Sequence, residues 1–448
     1  MRVIIVGAGE VGYHVADRLA KEQHDVVVVD VAAARLDYVE SHLDVAVLEG
    51  SGASPSVLER AGIKEAGLLL AVTSVDEVNL VTCMSAPSRP GLVKVARVSN
   101  PDFYAERAAL QPGTFGVDLL INPERELALE AFRLLQSTAA SDVVVFAGGA
   151  VQLLGLRVAD GAPVANRPLA AVGAGERGRQ LLTVAVERDG RTIIPTGATV
   201  IEVGDHVYVI AAAREIPRAL ELTGHTHEKA QRVMLAGGSI ETFYLAQLLQ
   251  QHGLDTVAIV EDRERAQELA EQLDRTLVLN GNVTDIELLE LEGVGGMDAF
   301  VALTDYDETN IIASLVAKHA GAKQVITLVN KSDYVPLARR LGLDAAVSPR
   351  LSAASALLRY VRRGSVQRVA TLQANDAEVL SLAVTAGSPV VGRLLAEAGF
   401  PEGAIVGAIV RGHSVVVPTG RDTLRVGDAA IVFALPEAVA PVTRMFPT

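Results

Sequence analysis

Residues 7–12 (Gly-Ala-Gly-Glu-Val-Gly) have the glycine spacing of a phosphate-binding turn between a strand and a helix. In such a turn Gly7 permits the tight bend, Gly9 lets the backbone approach a pyrophosphate, and Gly12 lets the helix pack on the strand. Asp30 ends the next apolar run, where its carboxylate can accept hydrogen bonds from a ribose diol and would repel a 2′-phosphate. The pattern predicts a site for NAD(H) or an adenine nucleotide at Gly7, Ala8, Gly9, Glu10, Val11, Gly12 and Asp30.

An altered copy of the turn occurs at residues 237–242 (Gly-Gly-Ser-Ile-Glu-Thr), and an acidic residue, Glu261, follows the next apolar run. Ser239 stands where the backbone would meet a pyrophosphate, and Thr242 stands where the helix would pack on the strand. A Cβ atom at either position narrows the pocket. The residues leave open whether this copy binds a nucleotide or serves as scaffold. Its candidate binding residues are Gly237, Gly238, Ser239, Glu261 and Thr304.

The elements that position these turns are repeated along the whole chain. Residues 73–79 match residues 304–310, each after an apolar strand and at the start of a helix. Residues 139–225 form a β-rich stretch of short Val-rich runs and glycines, and this texture returns after about residue 365. The two β-rich stretches match each other, since residues 194–205 correspond to residues 417–428. The sequence predicts an α/β protein with two Rossmann-like, doubly wound parallel sheets, each followed by a small α+β subdomain. The predicted domains are 1–138, 139–225, 230–364 and 365–448, with a polar linker at residues 225–229.

Composition limits the function classes. The formal net charge of −14 over 448 residues argues against nucleic-acid binding, which requires a basic surface, and against adsorption on an anionic membrane. No apolar run approaches the length of about 20 residues that spans a bilayer. The single cysteine, Cys83, cannot form an intrachain disulfide. These features predict a cytoplasmic protein without direct insertion into the bilayer.

Two local patterns have both a structural and a chemical interpretation. Thr73 and Ser74 precede Asp76 and Glu77 at capping-box spacing, which predicts that the pair closes a helix N-terminus; a metal site is the alternative. Cys83 lies in an apolar helical pattern, which predicts a buried small hydrophobic side chain rather than a reactive thiol.

Taken together, the chain resembles the TrkA family, the peripheral regulatory subunits of Trk-type bacterial potassium uptake, along its full length. Members of that family contain two RCK (regulating potassium conductance) units in tandem. The individual motifs are moderately specific, but their order, repeated once, is highly specific. The motifs are residues 7–12 with 27–30, 49–52 (Glu-Gly-Ser-Gly), 71–79, 96–98 ahead of Pro101 and Asp102, 307–310 and 407–412.

The resemblance implies RCK nucleotide-binding domains, each followed by an RCK C-terminal domain, and assembly into a ring on a potassium-translocating membrane subunit. Tandem units suggest a homotetramer, and the implied regulatory ligands are NAD(H) and ATP or ADP. The resemblance also adds five binding residues to the first pocket: Ser51 and Gly52 at the adenine end, Thr73 and Ser74 beside the phosphates or second ribose, and Arg97 as a phosphate contact. For Arg97, an ordinary charge at a strand end is the alternative.

Catalysis is the competing function class. A dehydrogenase needs a proton donor such as His or Lys beside the nicotinamide, and the nine histidines show no recurrent partner. The sequence contains neither a nucleophile elbow nor a Walker A lysine. A nucleotide-responsive regulatory subunit is therefore favoured, with no catalytic residues and no metal site. The alternative is an NAD-dependent oxidoreductase whose active site forms between subunits.

Overall fold

The computed structural model describes residues 1–100, 103, 112–172, 181–226, 228–331, 334–361, 366–372, 377–412 and 414–447. Pro101 and Asp102 of the family pattern, and His227 of the predicted linker, lie outside the described residues. Within the described ranges, no helix is long and apolar enough to cross a membrane.

The first half of the chain contains a parallel sheet with its helices and then an antiparallel sheet. The first group is β1 (Arg2–Val6), α1 (Glu10–Lys21), β2 (Asp25–Asp30), α2 (Ala33–His42), β3 (Ala46–Glu49), α3 (Pro55–Arg60), β4 (Ala66–Ala71), α4 (Asp76–Ser85), β5 (Val93–Arg97), β6 (Leu119–Ile121) and α5 (Pro123–Leu135). The second group is β7 (Ala140–Phe146), β8 (Val151–Arg157), β9 (Arg167–Pro168), α6 (Leu169–Val172), β10 (Leu181–Arg188), β11 (Arg191–Ile193), β12 (Val200–Ile201), β13 (His206–Ala212) and α7 (Ile216–Leu222).

The second half repeats this order. Its parallel-sheet group is β14 (Arg232–Ala236), α8 (Ile240–Gln251), β15 (Asp255–Val260), α9 (Arg263–Gln272), β16 (Thr276–Asn280), α10 (Ile286–Leu291), β17 (Ala299–Ala302), α11 (Asp307–His319), β18 (Gln324–Leu328), α12 (Tyr334–Arg340), β19 (Ala345–Val347) and α13 (Pro349–Val361). Its antiparallel group is β20 (Val366–Thr371), β21 (Glu378–Ala383), β22 (Ala404–Arg411), β23 (Ser414–Val416), β24 (Ala429–Ala434) and α14 (Pro436–Arg444).

Both parallel sheets have the doubly wound strand order. The first runs β3-β2-β1-β4-β5-β6 and the second β16-β15-β14-β17-β18-β19. The central strand β1 is buried almost throughout, as expected for a strand covered by helices on both faces. In this topology the order reverses beside the first strand, so the carboxyl ends of the central strands border a crevice in which ligands bind. The predicted Rossmann-like fold is confirmed for both copies.

The two small antiparallel sheets also share one strand order, β11-β10-β13-β8-β7 and β23-β22-β24-β21-β20. They pack against each other through one apolar core, in which the rings of Tyr208 and Phe433 have centroids 6.3 Å apart. A Cβ atom on Gly407 would overlap the side chain of Ile210, so glycine permits close approach of the two sheets. The small subdomains predicted from the sequence are therefore joined by a common core.

An ion pair between a buried aspartate and a partly exposed arginine recurs in both small sheets and explains the repeated Val-Gly-Asp pattern. Arg188 Nε donates to Asp205 Oδ1 at 2.7 Å, and Arg411 Nε donates to Asp428 Oδ1 at 2.8 Å. Burial alone would raise the pKa of Asp428, but hydrogen bonds from Arg411 and the Arg425 backbone outweigh it, so the pKa is lowered. Asp428 thus remains ionised, and each aspartate ties a hairpin turn to a neighbouring strand.

Packing divides the chain into two compact units, Met1–Leu127 with Pro349–Val361, and Ala128–Ser348 with Arg362–Thr448. Helix α13, which follows the second parallel sheet in sequence, belongs to the first unit. Its Ala353 and Leu357 are buried with Val11 and Val15 of α1. Helix α5 is divided between the units: its residues up to Leu127 belong to the first unit, and those from Ala128 onward belong to the second. Helix α13 therefore packs outside its own sequence repeat.

Cys83 is fully buried on α4, which confirms the sequence prediction of a structural cysteine. Burial, partly offset by the charge of Lys94, raises the pKa of the thiol to about 12. We expect the native protein to resist a disulfide reagent at pH 8, because the thiolate fraction there is only about 10⁻⁴. One thiol per chain should react once denaturant is added. Rapid labelling of the native chain, followed by absorbance, would contradict this prediction.

Candidate nucleotide-binding site

The glycine turn connects β1 to α1 at the carboxyl edge of the first sheet. Gly7 has a φ of +114°, and a Cβ atom there would lie 2.9 Å from the Thr73 backbone nitrogen. A Cβ atom on Gly12 would overlap the Gly7 carbonyl oxygen. Both glycines are required by the protein's own backbone, as the motif predicted.

Gly9 differs from both. Its backbone is extended, with φ −72° and ψ −177°, a conformation open to any residue. Apart from the two neighbouring residues in the chain, no described atom lies within 4 Å of the position that a Cβ atom would take. The fold therefore does not require glycine here. The open space borders the N-terminus of α1, where backbone N–H groups and the helix dipole favour a phosphate group.

Asp30 lies at the carboxyl end of β2 and is 8% exposed. Its Oδ2 accepts a hydrogen bond from the Ala8 backbone N–H at 2.7 Å, and its Oδ1 accepts one from Ala32 N–H at 2.9 Å. The carboxylate is thus fixed against the glycine turn. Because each carboxylate oxygen can accept more than one hydrogen bond, both oxygens retain capacity for a ribose diol.

The loop after β3 lies beside β1. The Gly50 N–H donates to the Asp30 carbonyl at 2.9 Å. Gly52 is buried, and a Cβ atom there would overlap the Val6 side chain, whereas Ser51 is exposed. The structure therefore gives Gly52 a packing role at this edge and leaves the Ser51 side chain accessible.

Thr73 is held by a buried asparagine whose role the sequence did not reveal. Asn79 Oδ1 accepts from Thr73 N at 2.9 Å and from Thr73 Oγ1 at 2.8 Å. Its Nδ2 donates to the Thr73 carbonyl at 3.0 Å and to the Arg97 carbonyl at 2.9 Å. One side chain thereby joins the ends of β4 and β5, next to exposed Ser74. The sequence feature that could have indicated this bridge is the pair Thr73 and Asn79, whose six-residue spacing recurs in the second repeat.

The second repeat contains the same bridge. Asn310 Oδ1 accepts from Thr304 N at 2.8 Å and from Thr304 Oγ1 at 2.7 Å. Its Nδ2 donates to the carbonyls of Thr304 and Leu328. Both asparagines are fully buried. The bridge is therefore a property of the fold, whatever each glycine turn binds.

The capping-box prediction for Asp76 is wrong. The residue preceding α4 is Val75, and no described side chain caps this end of the helix. Instead the Asp76 carboxylate accepts hydrogen bonds from the backbone N–H groups of Ser99 at 3.0 Å and Asn100 at 2.8 Å. Proximity in sequence favoured a local cap, but the strand-end loop after β5 competes successfully for the carboxylate. Among the described residues, no cluster of side chains could hold a metal ion.

Arg97 ends β5 beside the same edge of the sheet. Its guanidinium donates to Glu124 Oε1 at 2.9 Å, and the side chains are 24% and 10% exposed. Glu124 lies at the start of α5. This ion pair is what the alternative interpretation of Arg97, an ordinary charge at a strand end, predicts. The guanidinium is partly exposed and retains further N–H donors that a phosphate could use.

The second glycine turn keeps the backbone shape of the first. Gly237 has a φ of +124°, and a Cβ atom there would lie 2.8 Å from Thr304 N. Ser239 precedes α8 and caps it, since its hydroxyl accepts from Thr242 N at 3.4 Å. The Ser239 hydroxyl therefore satisfies one of the N–H groups at the start of α8. In the first turn no side chain caps α1, so the corresponding N–H groups beside Gly9 remain available.

The acceptor of the second turn is displaced by one residue. Val6 and Ala236 are the equivalent last residues before the two glycine turns. Val6 pairs with Val29 and Ala236 pairs with Ile259, so the next residue along, Asp30 in the first sheet, corresponds to Val260 in the second. Glu261 lies one residue beyond and is exposed. Arg265 Nε donates to the Gly238 carbonyl at 2.6 Å. Where the first turn presents a carboxylate, the second presents an apolar side chain and a nearby guanidinium.

Family models match the chain in the same repeated order. The TrkA-N domain matches residues 3–123 and 233–349, and the TrkA-C domain matches residues 153–224 and 379–446. Among solved structures, the GsuK RCK domain aligns with a TM-score of 0.60 and 18% identity, covering 99% of this chain and 94% of that one. The GsuK channel bound to NAD aligns with a TM-score of 0.61 and 19% identity, covering 99% and 78%. These likenesses support the fold.

Curated relatives match over the full length. The Trk system potassium uptake protein TrkA homolog 2 of Methanosarcina mazei is 36% identical, with 100% of each chain covered. The Trk system potassium uptake protein TrkA of Azorhizobium caulinodans is also 36% identical, covering 100% of this chain and 98% of its own. With both domain types matched twice in the same order, the chain belongs to the TrkA family.

Proposed function

We propose that this chain is a nucleotide-binding regulatory subunit that gates a Trk-type potassium-translocating membrane subunit. In this proposal it acts from the cytoplasm, on the inner face of the membrane, through its partner. Two relatives that match over the full length are named for Trk potassium uptake, and this supports the choice of partner. The tandem repeat supports self-assembly, for which we propose a homotetramer.

The observation that carries the proposal is the open space at Gly9 beside the fixed carboxylate of Asp30. A glycine that the fold does not require, next to free N–H groups of a helix, suits a pyrophosphate. Asp30 suits the adenosine ribose, so we propose NAD(H) or ATP/ADP as the ligand. The GsuK structures bound to NAD and to ADP support this ligand class.

Within this proposal the first pocket has three parts. The glycine turn and α1 bind the phosphates, Asp30 binds the ribose, and the loop after β3 borders the adenine. The ends of β4 and β5 border the far end of the ligand. The binding residues are Gly7, Ala8, Gly9, Glu10, Val11, Gly12, Asp30, Ser51, Gly52, Thr73, Ser74 and Arg97. In the second repeat the capped helix and Val260 weaken the case for an equivalent site, which would comprise Gly237, Gly238, Ser239, Glu261 and Thr304.

The mechanism we propose is thermodynamic linkage. A nucleotide that binds one conformation of the ring more tightly than another shifts the gate by that difference in affinity and by no more. No chemical step is needed. Thr73, Asn79 and Arg97, which border the far end of the pocket, take part in scaffold hydrogen bonds or an ion pair, and this favours regulation over the oxidoreductase alternative.

The test is potassium flux into liposomes that contain the membrane subunit, with this chain and each nucleotide added outside. We expect nucleotide to change the flux only when the chain is present. Asp30→Asn should raise the half-effective nucleotide concentration about 10- to 100-fold, since it removes a charged hydrogen-bond acceptor. Glu40→Gln, which changes an exposed acidic residue of α2 outside the site, should leave that concentration unchanged. Flux that does not respond to nucleotide, or steady consumption of NADH, would refute the proposal.

A further inference from the structure

Helix α13 brings a charged side chain from the second sequence repeat to the first glycine turn. Its apolar face packs on α1, with Leu357 buried against the core that contains Val11 and Val15. Arg350, the second residue of α13, contacts the carboxylate of Glu10. Glu10 is the first residue of α1 and directly follows Gly9. A guanidinium therefore lies beside the end of α1 that faces the proposed phosphate site.

The electrostatic setting of Arg350 is unfavourable for a cation. The N-termini of both α1 and α13 carry partial positive charge, and cations are stabilising at the opposite end of a helix. Burial also lowers the pKa of Arg350 from its usual value. Glu10 is itself half exposed, at 50%, so water screens much of its attraction. An additional anion at this place would relieve these costs.

The second repeat lacks this arrangement, although its backbone is the same. Ile240 stands at the position of Glu10, directly after Ser239. The match of Pro123 with Pro349 places Glu124 at the position of Arg350. The cation and its carboxylate are therefore specific to the first turn, which is also the turn with open space at Gly9.

We propose that Arg350 binds the phosphate groups of the nucleotide held by the first glycine turn, in exchange for Glu10. The inference rests on the proposed nucleotide function of that turn. A guanidinium offers several donors in a planar fork that matches phosphate oxygens. Because α13 follows β19 of the second repeat after a single residue, Ser348, phosphate binding restrains the chain that leaves the second sheet. Occupancy of the first pocket thereby acts on the second repeat.

The test compares the affinity of the full chain for ADP, ATP and NADH in four forms. Arg350→Gln should weaken binding of the ligand by about tenfold or more, the range for losing a charged hydrogen bond. Glu10→Gln should tighten it severalfold, since it removes the Glu10 carboxylate that competes for the guanidinium and a negative charge near the phosphates. Arg60→Gln, an exposed arginine at the end of α3, is the matched control and should bind like wild type. Thermal unfolding of each variant reports on folding.

The opposite signs of the two main variants separate this inference from a structural ion pair. A pair that only holds α13 on α1 would lower thermal stability in both variants and leave Glu10→Gln no tighter than wild type. That result, or unchanged affinity in Arg350→Gln, would overturn the inference while nucleotide binding stands. If wild type binds none of the ligands, the proposed function fails with it. Should Arg350→Gln not fold, Arg350→Lys should bind with intermediate affinity, and wild-type affinity there would overturn the inference.

Discussion

Replacing Gly9 with alanine is expected to weaken nucleotide binding by about 10- to 100-fold and to leave the fold intact. A Cβ atom there meets no described protein atom, but it projects into the space where a pyrophosphate would approach the backbone. Steric overlap of this kind costs about 1–3 kcal/mol. The backbone is already extended, so the free energy of unfolding should change by less than about 1 kcal/mol. Calorimetric titration and thermal unfolding measure the two effects.

Gly12→Ala is the matched control, because its main expected effect is on the stability of the fold. Its Cβ atom would overlap the Gly7 carbonyl oxygen and lie 3.5 Å from Ile5 Cγ2. We expect a loss of about 2–4 kcal/mol in the stability of the first unit. Equal destabilisation by both alanines would mean that the fold itself requires glycine at position 9, and would remove the argument for a phosphate there.

The second large effect is expected for Asn79→Ala. The change leaves the Thr73 N–H and the carbonyls of Thr73 and Arg97 without their buried partner. An unsatisfied buried group costs about 1–3 kcal/mol, and because these three hydrogen bonds are only partly buried we expect a total near the lower end of the sum, about 3–5 kcal/mol. Nucleotide affinity should fall as well, because the end of β4 that borders the pocket is released. Denaturant unfolding and calorimetry measure the two.

Asn310→Ala provides the comparison within the same chain. It removes the equivalent bridge from the second sheet, so a similar loss of stability is expected. Nucleotide binding at the first turn should persist in this variant. A stability change below about 1 kcal/mol in both variants would show that water replaces the amide and that the bridge has no structural role.

Much of the architecture follows from local sequence features. Gly7 has a positive φ, and a Cβ atom on Gly12 would overlap the Gly7 carbonyl oxygen, so much of the requirement for glycine arises within the turn and its motif predicts it well. Apolar runs before each turn predict buried parallel strands because a strand covered on both faces has no polar side. The repeat then extends the same prediction to the second half. Family resemblance added the identity of the small subdomains.

What the sequence could not predict depends on contacts between distant residues. Asp76 and its Ser99 partner are joined by the adjacency of two strand ends, which a local pattern does not reveal. Glu261 resembles Asp30 in sequence because both are acidic residues near a strand end, but strand register assigns that place to Val260. Helix α13 belongs to the second repeat in sequence but packs in the first unit, and this placement brings Arg350 to Glu10. Both features arise only from tertiary packing.

The most direct test of the central claim is a calorimetric titration of the purified full chain with NADH, NAD⁺, ATP and ADP. The claim is that the first glycine turn is a regulatory nucleotide site. It predicts binding of at least one of these ligands at one site per chain, without turnover, and loss of that binding in Gly9→Ala. Absence of binding for all four, with a correctly folded protein, would contradict it.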